Sequence, residues 1–349
     1  MGDYKTEKTL DSLLKDCPKD NIICDNLIRA WGKINSPLYS KIVCTISGGA
    51  DSDIVLDICT KCDKDNRIDY VWFDTGLEYQ ATKTHLKELE QKYRITIKPY
   101  KAKKPIPIAC KEYGQPFLSK RVSDYMSRLQ KHGFKWENDD FETLLHKYCK
   151  WNDKRQTWVG CYTALKWWCN QHNSLQFNIS QNKYLKEFII KNNPQFKISD
   201  KCCMYGKKNV LHNLIVNSDY DLNIFGVRKA EGGTRSVAYK SCFDEKLAGC
   251  DEYRPIFWYL NETKEKYNKH YGICNSECYT KYGLKRTGCA GCPFGRDFEF
   301  ELQVIEKYEP KLFKAVQNIF GESYEYTKKY REFCKTMKQV MWLVNDKET

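Results

Sequence analysis

The chain has 349 residues, of which 41% are hydrophobic and 30% charged, and this composition excludes an intrinsically disordered protein. The 58 Lys and Arg residues against 45 Asp and Glu leave a net charge of +13, which favours an anionic substrate or partner. Because no run of about 18 uncharged apolar residues and no signal or transit pattern occurs, we expect a cytoplasmic protein without a membrane span.

The first predicted elements alternate between strands and helices. Residues 42–46 form a β-branched run typical of a buried strand, and the apolar residues at 54–59 recur at helical spacing after it. The same patterns predict further strands at 70–73, 95–100 and 222–227, and a helix at 82–91. This alternation predicts an α/β fold with an open, mostly parallel sheet and helices on both faces.

The remaining segments read as helical. We expect an N-terminal helical segment at 1–40, then an α/β domain at 41–297. This domain contains a helical insertion at about 105–200 rather than additional sheet, because turn signals there separate helical patterns. Residues 298–349 are predicted to form C-terminal helices that pack on the rest.

The loop after the first strand carries the most specific chemical pattern, Ser47 to Ser52 (SGGADS). Gly48 and Gly49 allow a sharp turn and a close approach to a ligand, while the following helix presents N–H groups and a positive dipole end. The hydroxyls of Ser47 and Ser52 add donors, and Asp51 is suited to a magnesium ion that bridges polyphosphate oxygens. The loop is not a Walker A loop, because the lysine of that motif is missing. It is predicted to bind anionic oxygens.

A second loop, Asp74-Thr75-Gly76, follows the second predicted strand. Ligands of open α/β sheets bind outside the carboxyl ends of the strands, where both loops would lie. We therefore expect Asp74, Thr75 and Gly76 to line the same site, with Asp74 as a further magnesium ligand.

These motifs together resemble the phosphoadenosine phosphosulfate reductase family of the adenine nucleotide alpha hydrolase superfamily, whose first loop is the PP-loop. The resemblance rests on SGGADS, FDTG, Gly226-Val227-Arg228 with Glu231 and Arg235, Arg254-Pro255-Ile256-Phe257-Trp258, and residues 286–295 (RTGCAGCPFG). It implies an adenine nucleotide, with its phosphates or sulfate on the first loop. It also implies Arg228 and Arg235 as anion-binding arginines and, with Asp51, as the catalytic residues.

Eighteen cysteines without a secretion signal do not predict a disulfide framework. The resemblance implies a 4Fe-4S cluster held by the adjacent pair Cys202 and Cys203 together with Cys289 and Cys292. Four thiolates also suit zinc, so Zn²⁺ at these cysteines is the alternative, as are unligated cysteines. A second, weaker group, in which Cys274 and Cys278 would share a helix face, comprises Cys242, Cys250, Cys274 and Cys278.

The segment 98–135 carries ten Lys and Arg residues against Glu112 and Asp124. This charge indicates either a solvated lysine face or a surface for a nucleic-acid backbone. Its aromatic residues permit base stacking and equally permit a core; they are Tyr113, Phe117, Tyr125, Phe134 and Trp136.

The family's reductases carry a nucleophilic cysteine in a short C-terminal tail, whereas the only cysteine after residue 292 here is Cys334, outside such a motif. The resemblance therefore favours an enzyme that cleaves ATP to AMP and pyrophosphate, with Mg²⁺, to activate an acceptor or support sulfur transfer, including transfer to nucleic acid. A sulfur donor or thiol reductant protein would then be a partner. The alternatives are a reductase of adenylyl sulfate or phosphoadenylyl sulfate, with Cys334 or an external thiol as nucleophile, and a non-catalytic binding module with a structural cluster.

Overall fold

The structure is a computed structural model that describes residues 8–232, 238–246 and 249–345. Its strands are β1 (Ile42–Ile46), β2 (Ile68–Asp74), β3 (Ile97–Lys101), β4 (Cys149–Asn152), β5 (Thr157–Gly160), β6 (Leu222–Phe225), β7 (Phe243–Asp244) and β8 (Asp251–Tyr253). Its helices are α1 (Leu10–Lys15), α2 (Asn21–Ile34), α3 (Ala50–Cys62), α4 (Gln80–Tyr93), α5 (Ile106–Tyr113), α6 (Lys120–Lys131), α7 (Phe141–Tyr148), α8 (Tyr162–Trp168), α9 (Leu185–Lys191), α10 (Lys201–Cys203), α11 (Asn209–Ser218), α12 (Asn261–Tyr271), α13 (Glu277–Thr280), α14 (Phe298–Tyr308) and α15 (Pro310–Asn345).

The chain divides into two compact units. Of the described residues, the first comprises 8–103, 206–232, 238–246, 249–290 and 307–309, and the second comprises 104–205, 291–306 and 310–345. The segment predicted as an insertion and most of the C-terminal helical segment therefore lie together in the second unit.

The first unit contains a six-stranded sheet in the order β3-β2-β1-β6-β8-β7. All neighbouring strands pair in parallel except β7 and β8, which are antiparallel. The predicted α/β fold with a mostly parallel sheet is thus confirmed. The chain leaves β1 on one side towards β2 and returns as β6 on the other, so the strand order reverses at β1.

Alternate residues of β1 point to opposite faces of this sheet, as the two-residue period of a strand requires. Cys44 belongs to a core cluster with Leu27 of α2 and Ile54 of α3. Val43 instead packs in a second cluster that includes Leu214 of α11. Helices therefore cover both faces of the sheet, as the continuous apolar run of β1 predicted.

The second unit has a core rich in aromatic side chains. Trp167 and Trp168 of α8 are fully buried there, and Tyr326 and Tyr330 of α15 belong to the same cluster. The C-terminal helix thus packs on the helices of the 105–200 segment, because its aromatic stripe completes their core.

The prediction that residues 105–200 contain no sheet was wrong in one place. Strands β4 and β5 form a two-stranded antiparallel hairpin that pairs Trp151 with Trp158, and their rings are 5.6 Å apart. Each strand has only four residues, which is too short for a clear alternation, and the aromatic cross-strand pair stabilises it.

No helix within residues 8–232, 238–246 and 249–345 combines the length and the apolar character that crossing a bilayer requires.

Candidate functional site

The Ser47–Ser52 loop turns sharply between β1 and α3. Gly48 has φ +66°, and a Cβ at this position would lie 2.8 Å from Cγ2 of Thr82, so the loop requires glycine. The Ser52 hydroxyl accepts hydrogen bonds from the N–H groups of Ser47 (3.3 Å) and Gly49 (3.1 Å) and donates one to the Gly49 carbonyl (2.9 Å). Ser52 therefore fixes the loop conformation, and its contact with a ligand stays a prediction.

Gly226 brings the end of β6 against this loop. A Cβ at Gly226 would lie 3.1 Å from the carbonyl oxygen of Asp51 and from the nitrogen of Ser52. A side chain at this position would require the Asp51–Ser52 backbone to shift by a few tenths of an ångström. The two strand ends meet where the strand order reverses, which is where ligands of open α/β sheets bind.

The close approach of this segment to the loop brings the Arg228 guanidinium into contact with the Asp51 carboxylate. Arg228 Nε lies 2.9 Å from Asp51 Oδ2, and Lys264 Nζ of α12 lies 2.6 Å from Asp51 Oδ1. Burial alone would raise the pKa of Asp51, but the hydrogen bonds and charges of Lys264 and Arg228 outweigh it and hold the pKa below its usual range. Asp51 is therefore a carboxylate between two cations.

Two hydroxyls lie beside the same loop. The Tyr279 hydroxyl accepts the Ala50 N–H at 3.2 Å and lies 3.1 Å from the hydroxyl of Thr287. A Cβ at Gly49 would lie only 3.0 Å from Thr287 Oγ1. Thr287 falls within the RTGCAGCPFG motif, but Tyr279 carries no sequence signal and was missed.

The second loop is organised by Glu78, a residue that sequence reasoning also missed. Glu78 accepts hydrogen bonds from the Thr75 N–H at 2.9 Å and from the Thr75 hydroxyl. Asp74 Oδ1 accepts the Gly76 N–H at 2.9 Å. Burial and the adjacent Asp74 carboxyl raise the pKa of Glu78. Thr75 Oγ1 also lies 3.9 Å from Cys289 Sγ, which places Cys289 beside this loop.

A buried pair lies on the helices that follow the two loops. His85 of α4 and Asp53 of α3 are in contact through Nε2 and Oδ2 at 2.9 Å, and both side chains are almost fully buried. Burial would lower the pKa of His85, but Asp53 and then Glu88 outweigh it and raise the pKa. The pair joins the first turn of α3 to α4.

Both carboxylate oxygens of Asp51 contact cations, so a magnesium ion bound there would lie beside Arg228 and Lys264. Across residues 8–232, 238–246 and 249–345, no group of three or more His, Cys, Asp or Glu side chains is arranged to hold a metal ion. Arg235, the other predicted anion-binding arginine, lies outside the described residues.

Three of the four predicted cluster ligands lie in the second unit, namely Cys202, Cys203 and Cys292, whereas Cys289 lies in the first. Within the second unit, the Cys202 thiol contacts the thiols of Cys110 and Cys203, and the hydrogen bond with Cys110 raises its pKa. Cys110 and Cys202 are both buried, on α5 and α10. Cys110 was missed because it is isolated in the sequence.

Other thiols form pairs outside this group, with sulfurs 3.8 Å apart for Cys44 and Cys59 and 4.0 Å apart for Cys149 and Cys161. Cys17 and Cys24 form a disulfide, which the cysteine pattern did not predict. Helix α13 begins only at Glu277, after the Ser276 cap, so Cys274 and Cys278 do not share a helix face as predicted. The Cys334 thiol lies 3.6 Å from the Lys183 carbonyl oxygen.

The aromatic residues of the 98–135 segment belong mainly to the core. The side chains of Phe117, Tyr125, Phe134 and Trp136 are buried, so the core interpretation of these rings is correct. Most of the basic side chains of this segment are exposed; they are Lys98, Lys101, Lys103, Lys111, Lys120, Arg121, Arg128, Lys131 and Lys135.

Residues 41–137 match the family model of the phosphoadenosine phosphosulfate reductase domain. The predicted resemblance to that family is therefore confirmed. No curated protein sequence matches the chain.

Several solved structures resemble the chain distantly. A phosphoadenylyl-sulfate reductase from Candida auris in a phosphate complex is 14% identical, with a TM-score of 0.40, over 80% of this chain and 93% of that one. A U34-tRNA thiolase from Methanococcus maripaludis with its [4Fe-4S] cluster is 12% identical, with a TM-score of 0.36, over 90% and 79%. An NH3-dependent NAD synthetase from Campylobacter jejuni is 11% identical, with a TM-score of 0.32, over 91% and 96%.

Proposed function

We propose that the chain is an adenine nucleotide enzyme that holds the phosphates of its substrate on the Ser47–Ser52 loop. One observation carries this proposal: the glycine loop after β1 meets the Gly226–Arg228 segment at the reversal of the strand order. The match of residues 41–137 to a nucleotide-using family supports it.

The reaction proposed is cleavage of ATP between its α and β phosphates. An acceptor atom attacks the α phosphorus, the bond to the bridging oxygen breaks, and pyrophosphate leaves with that electron pair. The positive end of α3 and the guanidinium of Arg228 would stabilise the charge that develops on the phosphates. Arg235 is proposed for the same task from the sequence motif alone.

The cysteines are proposed to hold a 4Fe-4S cluster, with Zn²⁺ as the alternative. The predicted ligands are Cys202, Cys203, Cys289 and Cys292, and Cys110 is a fifth thiol in contact with Cys202. The residue type supports this proposal, because thiolates are the ligands of iron-sulfur clusters. A bound cluster would supply a structural cross-link or an iron site for sulfur.

The acceptor is proposed to be a nucleic acid, with a sulfur donor protein as a second partner. The exposed lysines and arginines of the 98–135 segment support a phosphate backbone as the partner. Because the aromatic rings of this segment are buried, binding would depend on charge more than on base stacking.

A sulfonucleotide reductase is the second candidate, and the family match favours it. This reaction needs a nucleophilic thiol, and Cys334 is the candidate within the chain. Cys334 is only partly exposed on α15, and its thiol contacts the Lys183 carbonyl and Tyr330. An external thiol would have to replace it.

Calorimetric titration of anaerobically purified protein tests these alternatives. ATP, adenylyl sulfate and phosphoadenylyl sulfate would be compared on the wild type, Arg228→Met and the control Arg128→Met, an arginine of α6 paired with Asp124. Preference for ATP that Arg228→Met alone abolishes would support ATP cleavage. Preference for a sulfonucleotide, with release of sulfite, would support the reductase, and no binding of any nucleotide would refute both enzymes.

A further inference from the structure

The Ser47–Ser52 loop has no lysine of its own, but the fold brings one to it. Lys264 lies on the first turn of α12, 213 residues along the chain from Asp51, and its ammonium is 2.6 Å from Asp51 Oδ1. The side chains of Lys264 and Asp51 are only 19% and 12% exposed. Lys264 is thus held at the amino end of α3 and not free in solvent.

Arg228 contacts the other carboxylate oxygen of Asp51. Its Nε donates to Asp51 Oδ2 at 2.9 Å, and its Nη1 donates to Asn261 Oδ1 at 3.0 Å and to the Tyr259 carbonyl at 3.4 Å. Asn261 begins the helix that carries Lys264. The guanidinium therefore ties the start of α12 to the loop, and the position of Lys264 follows from this bond.

The charges around Asp51 do not cancel. Within this group of three, Arg228 and Lys264 contribute two positive charges and Asp51 contributes one negative charge, so one positive charge remains. Asp53 of the same helical turn is paired with His85. The amino end of α3 adds its partial positive charge at the same place. Such an excess attracts an anion.

The same positive charge would repel a magnesium ion at Asp51. Mg²⁺ binds carboxylate oxygens at about 2.0 to 2.1 Å in octahedral geometry. Each oxygen of Asp51 already contacts a cation, so the metal would lie beside the ammonium and the guanidinium in a largely buried position and be repelled by both.

We propose that Lys264 is the phosphate-binding cation of the Ser47–Ser52 loop and that Asp51 is the anchor that positions it, not a magnesium ligand. The ligand is the pyrophosphate group of a nucleotide or free pyrophosphate. This inference rests on the proposed function, because it assigns the phosphate contacts of that same site.

The test is calorimetric titration of the full chain with inorganic pyrophosphate and, separately, with ATP, each in EDTA and in excess Mg²⁺. The variants are Lys264→Met and Lys264→Gln, which keeps a donor towards Asp51 without the charge. Lys266→Met is the matched control, since Lys266 lies on the same helix and pairs with Asp20 at the surface, where it is 62% exposed.

We expect both Lys264 variants to bind pyrophosphate in EDTA roughly tenfold to a hundredfold more weakly than wild type, as loss of a hydrogen bond to a charged group implies. Lys266→Met should bind like wild type. Tighter binding of magnesium pyrophosphate by Lys264→Met would overturn the inference, because it would mean that Lys264 competes with the metal for Asp51.

Unchanged binding in both Lys264 variants would also overturn it, while leaving the proposed function intact if wild type binds ATP. A wild-type protein that binds neither ATP nor pyrophosphate would overturn the proposed function and the inference together. A thermal unfolding transition like that of wild type would show that each variant is folded, so that weaker binding is not due to misfolding. If Lys264→Met does not fold, the binding of Lys264→Gln decides the test.

Discussion

Replacement of Gly48 by alanine tests the geometry of the loop. The φ of +66° imposes a left-handed conformation, which costs an L-residue with a Cβ about 1 to 2 kcal/mol. The new methyl would also lie 2.8 Å from Cγ2 of Thr82, and such overpacking costs about 1 to 3 kcal/mol. We therefore expect Gly48→Ala to lower the free energy of unfolding by about 2 to 5 kcal/mol.

Gly283→Ala separates the two contributions. Gly283 has φ +70°, but a Cβ there would meet no atom within 4 Å. It lies in the same unit as Gly48, so the same part of the fold is measured. This variant should lose only the conformational part, about 1 to 2 kcal/mol.

Urea unfolding followed by circular dichroism provides the measurement, and a double-mutant cycle with Thr82→Ser completes it. Serine keeps the hydroxyl of Thr82 and removes the methyl that the new Cβ would meet. Gly48→Ala should therefore cost less in the Thr82→Ser background than in the wild type. Equal losses for Gly48→Ala and Gly283→Ala, or no relief from Thr82→Ser, would refute the reasoning that this contact excludes a side chain.

Three further predictions concern titration, iron and nucleic acid. The raised pKa of His85 should add stability that is fully present below about pH 6.5, the unfolded value, and lost as pH rises through the folded value. Urea unfolding above pH 6.5 should show a different slope in His85→Gln, where only the buried Asp53 carboxyl of the pair, whose pKa burial raises, can titrate, and equal slopes would refute the assignment to His85. If the cluster is held by Cys110, Cys202, Cys203 and Cys292, all in the second unit, Cys110→Ala should lower the iron content of anaerobically reconstituted protein and Cys289→Ala should not, whereas the reverse result would support the set predicted from sequence. Charge reversal at Lys103 or Lys120 should weaken nucleic-acid binding and reduce the slope of log K against log salt by about 0.7 to 0.9 for each lost phosphate contact, and an unchanged slope would remove that residue from the interface.

The sheet and its loops were predictable because their signals are local. The apolar run of β1 followed by SGGADS specifies a buried strand, a tight turn and a helix within 20 residues, and the structure has β1 and α3 there. The parallel return at β6 followed from a second run of the same kind. The hairpin of β4 and β5 was not predicted, because the pairing of its two strands stabilises it and its residue pattern gives no clear strand signal.

The partners of the predicted site residues were not predictable in the same way. The motif identifies Asp51 as a site residue. Its ion-pair partners, Arg228 and Lys264, lie 177 and 213 residues further along the chain and could not be read from the motif. Lys264 carries no motif, since it is one lysine among several on a polar helix. Cys110 likewise has no neighbouring cysteine in the sequence, and only the packing of α5 and α10 in one unit reveals its contact with Cys202.

The contacts of Asp51 change what its motif implies. An acidic residue in a glycine loop at a helix start would oppose an anionic ligand unless a metal or another cation offsets its charge. From the sequence, a magnesium ion is the expected way to offset this charge, because carboxylates are magnesium ligands. In the structure, Arg228 and Lys264 offset it instead, and their two positive charges exceed the charge of Asp51 by one. A carboxylate that holds two cations in place still leaves one positive charge for a phosphate to meet, so the same aspartate serves anion binding as an anchor. The Mg²⁺ dependence of pyrophosphate binding therefore discriminates between two roles of one residue that its sequence motif alone leaves indistinguishable.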